Sequence, residues 1–200
     1  MWQWFVKGGP VMIPIAGLSI VAITFVIERY IYFKRITHDE EHFTGEFVKL
    51  WNKNNIKKIY ELCDRTPGPL AKVMKAGVTA YKKNPKAIKA RMHEVVVSEM
   101  PKLERYMSLI SVIATLEPML GLLGTVTGMI RCFTVISLKG TGNPQELAGG
   151  ISEALITTEA GLIIAIPLIY LHNMLSNKVD SISSDIEKGV NNFIAMVEEK

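Results

Sequence analysis

The apolar positions of this chain fall into three long runs, Pro10–Phe33, Ser108–Leu138 and Ile151–Leu175. Each reaches the roughly 20 residues that an α-helix needs to cross the hydrocarbon core of a bilayer. The charged positions are gathered mostly between Lys34 and Arg105. A water-soluble fold would interleave the two classes at the shorter periods of amphipathic helices and strands. The pattern therefore predicts an all-α membrane protein. Three transmembrane helices are expected at 10–33, 108–138 and 148–175, with a helical cytoplasmic domain and long helices extending from spans two and three into the cytoplasm.

The polar middle segment has a helical period of its own. Phe43, Phe47, Leu50 and Trp51 make one apolar face, and Asn54-Asn55 ends it. A short helix is expected from Ile56 to Asp64, followed by a turn at Thr66-Pro67-Gly68-Pro69. Leu70, Val73, Met74, Gly77, Val78 and Tyr81 form a third apolar face. Thr37 is a candidate cap for the first of these helices, with Asp39, Glu40 and Glu41 in its first turn. From Pro85 the period continues through Ile88, Met92, Val95, Val96, Leu103 and Met107 into the second span, with a kink expected at Pro101. These faces are expected to bury against each other, against the extensions of the spans and against neighbouring subunits. Their polar faces mix both charges, which disfavours helices lying flat on lipid.

Charge then orients the chain. Lys34–Arg105 holds sixteen Lys and Arg against nine Asp and Glu, whereas only Lys7 precedes the first span and only Lys139 lies between the second and third. The positive-inside rule places the basic segment in the cytoplasm. The layout is then an outer, periplasmic segment at 1–9, a cytoplasmic domain at 34–107, an outer turn at 139–147 and a cytoplasmic C-terminal helix at 176–200. The basic excess reads as a topology signal, so no nucleic-acid partner is expected. Trp2, Trp4 and Phe5 suit a membrane interface. The first run ends in Glu28, Arg29, Tyr30, Lys34 and Arg35 rather than in a small-residue cleavage site, which predicts an uncleaved span. The two cysteines, Cys63 and Cys132, imply no disulfide framework.

The candidate chemistry lies in the hairpin formed by the second and third runs. One stripe of small residues runs through Ala114, Pro118, Gly121, Thr125, Gly128 and Cys132, and a matching one through Ala154, Thr158, Gly161 and Ala165. Small faces let helix backbones approach closely in lipid, and tight packing would explain the stripes with no further role. The carboxylates Glu117, Glu153 and Glu159 change that balance. An acidic side chain at a span centre costs about 2.5–3.5 kcal/mol, and such residues face a bundle interior or a water path. If the chain turns back near Thr141 or Gly142, opposed residues at equal depth have numbers that sum to about 283. Thr125 is then level with Thr158, and Arg131 is nearly level with Glu153. The second pairing gives Glu153 two readings, a member of an ion path or half of an outer ion pair.

The run Pro118-Met119-Leu120-Gly121-Leu122-Leu123-Gly124-Thr125-Val126-Thr127-Gly128-Met129 resembles the second-span signature of the MotA/TolQ/ExbB proton-channel family, in particular its ExbB-like branch. Gly150-Ile151-Ser152-Glu153-Ala154-Leu155, with Thr157-Thr158, Gly161-Leu162 and Ala165-Ile166-Pro167, resembles the third. The resemblance implies a homo-pentameric ring in the bacterial inner membrane, enclosing single-span helices of an ExbD/TolR-like partner that supplies a protonatable Asp. It implies an ion path through Thr125, Thr158 and Glu153, with Thr157 beside them, and helix packing through Gly121, Gly124, Gly128 and Gly161. No cofactor is implied, only a translocated H+, with Na+ left open. Two positions depart from the family pattern, Glu117 and Glu159, where small residues are usual. Each adds a carboxylate to the ion path or pairs with a partner cation, or else is a protonated, hydrogen-bonded acid that fixes subunit packing.

The expected function is an ion-driven energy transducer that works through a TonB-like protein on transport across an outer membrane. A TolQ-like role in envelope maintenance and a membrane scaffold without ion flow are the alternatives. A flagellar-stator role is disfavoured, since that branch has four spans. An enzyme is not expected, because His38, His42, His93 and His172 are scattered with no metal-ligand spacing or nucleophile motif.

Overall fold

The structure, a computed structural model, describes residues 7–37, 40–84, 87–140 and 144–198. Every regular element among them is helical: α1 Met12–Thr37, α2 Glu40–Asn52, α3 Ile56–Arg65, α4 Pro69–Lys83, α5 Ile88–Leu103, α6 Met107–Lys139 and α7 Pro144–Glu198. Three helical stretches are long and apolar enough to cross a membrane, as the three runs predict. Only 28%, 33% and 28% of their most apolar windows is buried within the chain, so the remaining faces need lipid or other subunits. Residues group into two compact units, 1–27 with 106–174 and 28–105 with 175–200.

The unit containing 106–174 is built from the apolar parts of α1, α6 and α7. Ile15, Ala22 and Val26 of α1 are buried, as are Ile110, Ile113 and Ala114 of α6 and Ala154, Ala165 and Leu168 of α7. Pro14 occupies the first turn of α1, where a missing backbone donor costs least. Met119, Leu122, Val126, Ile130 and Phe133 point outward, which suits a hydrocarbon solvent.

The second unit is a helical core. Phe43, Phe47 and Trp51 of α2 are buried with Val73, Met74 and Val78 of α4, Met92 of α5 and Phe193 of α7. Phe193 meets Trp51 edge-on at 4.9 Å between ring centroids and Phe47 at 5.8 Å. Gly77 leaves the space this packing needs, because a Cβ there would lie 2.7 Å from Met92 Sδ and 2.8 Å from Phe193 Cε1. Gly68 takes φ 125° and feeds Pro69 into the first turn of α4, as the Thr-Pro-Gly-Pro run suggests. The α2–α5 faces thus bury against each other and against the extension of the third span.

Two local expectations are corrected. The helix from 88 does not run on into the second span with a kink at Pro101. It continues through Pro101 to Leu103 and stops. Tyr106 then takes a left-handed conformation, φ 65°, before α6 begins at Met107. Its ring stacks on Phe25 at 4.3 Å, a contact that holds an unfavourable backbone position. Thr37 is the last residue of α1 rather than a helix cap for α2. Asp39 and the interfacial Trp2, Trp4 and Phe5 lie outside the described residues, as do Pro85 and the turn at Thr141 and Gly142.

Glu99 on α5 is buried between Lys72 and Lys102, which donate to it at 2.8 and 2.5 Å. Burial pushes its carboxyl up, but the two lysine hydrogen bonds outweigh this and hold it below the usual carboxylate value of 4.5. A depressed carboxylate stabilises the fold above its unfolded pKa, and the contribution is lost as pH falls through the folded one. Thermal unfolding of the wild type should therefore lose stability below about pH 4.5 more steeply than Glu99→Gln, with parallel profiles contradicting the linkage. Cys63 is buried too, and desolvation pushes its thiol up to about 12, which keeps it protonated and unreactive.

Candidate functional site

The α6–α7 hairpin brings the two small-residue stripes into direct contact. A Cβ on Gly121 would lie 3.0 Å from the Thr157 carbonyl oxygen and from Thr158 Cα. One on Gly128 would lie 2.8 Å from the Gly150 carbonyl oxygen and 2.9 Å from Ala154 Cβ. Gly161 meets the Glu117 carbonyl oxygen at 2.5 Å from its would-be Cβ, and Gly124 lies against the Thr157 side chain. These four glycines need no unusual backbone angle; what they supply is the absence of a side chain where two backbones approach. Cys132 continues the seam, its thiol reaching the Leu147 carbonyl oxygen at 3.4 Å.

The contacts set the register of the hairpin. Gly121 faces Thr158, Gly124 faces Thr157 and Gly128 faces Ala154. These pairs sit within a turn of the expected register, so Thr125 and Thr158 lie at similar depth, with hydroxyls that bond to different partners. Thr158 Oγ1 donates across the hairpin to the Gly121 carbonyl oxygen at 3.0 Å. Thr125 Oγ1 donates within its own helix to Leu122 O at 2.6 Å, and Thr157 Oγ1 to Ala154 O at 2.8 Å. Thr157 is fully buried, while Thr125 and Thr158 are half-buried. A hydroxyl donating to a backbone carbonyl still offers its oxygen lone pairs, so the half-buried pair can receive a hydrogen bond from a passing hydrated proton.

Arg131 and Glu153 meet, as their depths predict. Arg131 Nη1 lies 2.5 Å from Glu153 Oε2, with side-chain exposures of 61% and 13%. The carboxylate is thus nearly enclosed and the guanidinium is the half that reaches out. Lys7, Glu146 and Ser152 line the same recess. Gly9 also approaches Glu153. It has φ +69°, and any side chain there would overlap the Glu153 carboxylate. The Gly8-Gly9 pair just before the first apolar run is the one signal in the sequence that could have pointed to this close approach.

The two atypical glutamates separate. Glu159 is exposed on α7. Glu117 is completely buried within the single chain, and neither of its carboxyl oxygens has a hydrogen-bond partner among the described residues.

Two apolar helices closed by glycine, with hydroxyls and carboxyls placed inside the spans, define a multi-pass helical membrane protein whose polar groups lie within the lipid-facing layer. Residues 65–188 match the MotA/TolQ/ExbB proton channel family, and the chain belongs to that family. It is 31% identical over 169 residues to biopolymer transport protein ExbB-like 3 of Synechocystis, covering 84% of this chain and 80% of that one. It is 27% identical over 201 residues to the Tol-Pal system protein TolQ of Haemophilus influenzae, covering 94% and 87%. A biopolymer transport protein ExbB of Aquifex aeolicus is 41% identical over 78 residues, 39% of this chain and 53% of that one.

Proposed function

We propose that this chain is the ExbB-like subunit of a bacterial inner-membrane motor driven by the proton motive force, and that it energises TonB-dependent transport across the outer membrane. The observation that carries this reading is the α6–α7 hairpin, in which Thr125, Thr158 and the enclosed Glu153 place polar atoms along otherwise apolar spans. In the proposed assembly five copies surround single-span helices of an ExbD/TolR-like partner, and a TonB-like protein receives the work. The N-terminus is periplasmic and the C-terminus cytoplasmic. Each proton falling through the membrane potential releases about 2.3 kcal/mol per 100 mV, enough to bias one packing arrangement of partner against ring over another. The translocated ion is H+, with Na+ the alternative. No cofactor takes part and no bond of a substrate is broken.

The outward apolar faces of the spans support a ring, since they need neighbours or lipid. The same unpartnered faces suit the TolQ-like role in envelope maintenance, and the similarity to the Haemophilus TolQ runs over 94% of the chain. That role is the second reading. Co-purification of the full-length chain with the single-span protein encoded beside it, followed by native mass spectrometry, tests the assembly. Five copies holding that partner are expected; a monomer without one would contradict the proposal.

A further inference from the structure

Among the hairpin carboxyls that the proposed path does not use, Glu117 is the buried one. Its burial is complete before any neighbouring subunit is added, so no partner cation reaches it in this conformation. Both carboxyl oxygens are sealed and lack hydrogen bonds among the described residues. The hydroxyls on adjacent turns are committed elsewhere: Thr115 to Ser111 O, Thr157 to Ala154 O and Thr158 to Gly121 O. The groups that face it carry no charge. The described part of α1 from Met12 to Ile27 has no titratable residue, and neither has α6 within three turns. On α7 the only titratable residue within two turns of Gly161 is Glu159, which is exposed. An isolated carboxylate in such surroundings carries a desolvation cost that no counter-ion offsets.

We propose that Glu117 is a proton-binding residue of the hairpin, which carries its proton while α6 and α7 are closed and releases it when they part at Gly161. The hairpin is tightly closed at this residue, because the Glu117 main-chain carbonyl lies against Gly161, with only 2.5 Å between its oxygen and a would-be Cβ. On opening, water reaches the carboxyl. The O–H bond breaks, the carboxylate keeps the electron pair and water takes the proton. On closing, the reverse step reloads it. An unpartnered buried acid costs stability in the closed state. Hydration in an open state is what gives such a group a partner. Only the link to transport rests on the proposed conducting role; proton binding does not.

Infrared spectroscopy of the full-length protein in lipid vesicles at pH 7 tests this. The expected result is a protonated-carboxyl carbonyl band that disappears in Glu117→Gln and remains in Glu159→Gln. In heavy water the band should shift slowly, and Gly161→Ala should speed that shift about tenfold by overpacking the closed contact. A band that is missing in the wild type, or that survives Glu117→Gln, overturns the proposal. Should Gly161→Ala not insert, Gly121→Ala probes the same closed contact. An exchange rate that neither glycine variant alters overturns the opening step. Proton flux through such vesicles, prepared with the co-purified single-span partner, separates the two claims. Flux without the band removes Glu117 only, whereas the band without flux removes the conducting role and leaves the proton site.

Discussion

Gly161→Leu should collapse the hairpin and abolish assembly. A Cβ at 161 already falls 2.5 Å from the Glu117 carbonyl oxygen and 3.3 Å from Gly121 Cα, so a branched side chain has nowhere to go. Both of those neighbours include backbone, which cannot rotate away as a side chain could. Overpacking a tight core costs about 1–3 kcal/mol, and here the helices must also separate along a seam that Gly121, Gly124 and Gly128 share. The Thr158 hydrogen bond to Gly121 would be lost with it. Unfolding in detergent, followed by the far-ultraviolet signal, should show a midpoint well below the wild type, and native mass spectrometry should show no oligomer. Leucine at outward-facing Val126, exposed at 50%, serves as the control and should change neither. Wild-type stability for Gly161→Leu would mean that the two helices do not touch there.

Arg131→Ala should be the second large effect, and Glu153→Gln should partly reverse it. Removing the arginine leaves a carboxylate that is only 13% exposed without its partner at 2.5 Å. An unpaired acid in a span costs up to about 2.5–3.5 kcal/mol on insertion scales. The cost here should be smaller, because the recess also holds Lys7. In the double variant the neutral amide no longer needs a cation, so the coupling energy should come out at roughly 0.5–3 kcal/mol. A double-mutant cycle on detergent unfolding measures it. Strict additivity would mean that the pair contributes nothing and that Arg131 acts only by orienting the helix end.

Much of the fold is legible in the order of the residues because lipid imposes a simple rule. Spans must be long, apolar and helical, and the three runs satisfy it directly. The faces of α2 and α4 were legible for a similar reason, since Phe43, Phe47, Trp51, Val73 and Val78 repeat at the helical period. The break before α6 was not. Proline advertises a helix end, yet Pro101 is tolerated, while Tyr106 ends the segment through a left-handed backbone that no glycine or asparagine announces. What holds it is the distant ring of Phe25, a tertiary contact.

The candidate site divides the same way. The Arg131–Glu153 pair follows from depth alone, and a salt bridge tolerates a turn of error because both side chains are long. The Thr125–Thr158 level was legible only to within a turn. The fine register depends on how Gly121, Gly124 and Gly161 nest, and it leaves the two hydroxyls on different partners. Nor could the sequence separate Glu117 from Glu159. Both are acids in apolar spans, and only the rotation of α6 against α7 seals one and exposes the other.

The central claim is that this hairpin conducts protons. Its most direct test is proton flux under an imposed potential, in liposomes holding the full-length chain and its co-purified single-span partner. The wild type should conduct, and Thr158→Val and Glu153→Gln should each lower the flux about tenfold or more, the loss expected when a polar group is removed from an apolar path at a cost near 1.4 kcal/mol. Wild-type flux in both variants, with the assembly intact, would contradict the account.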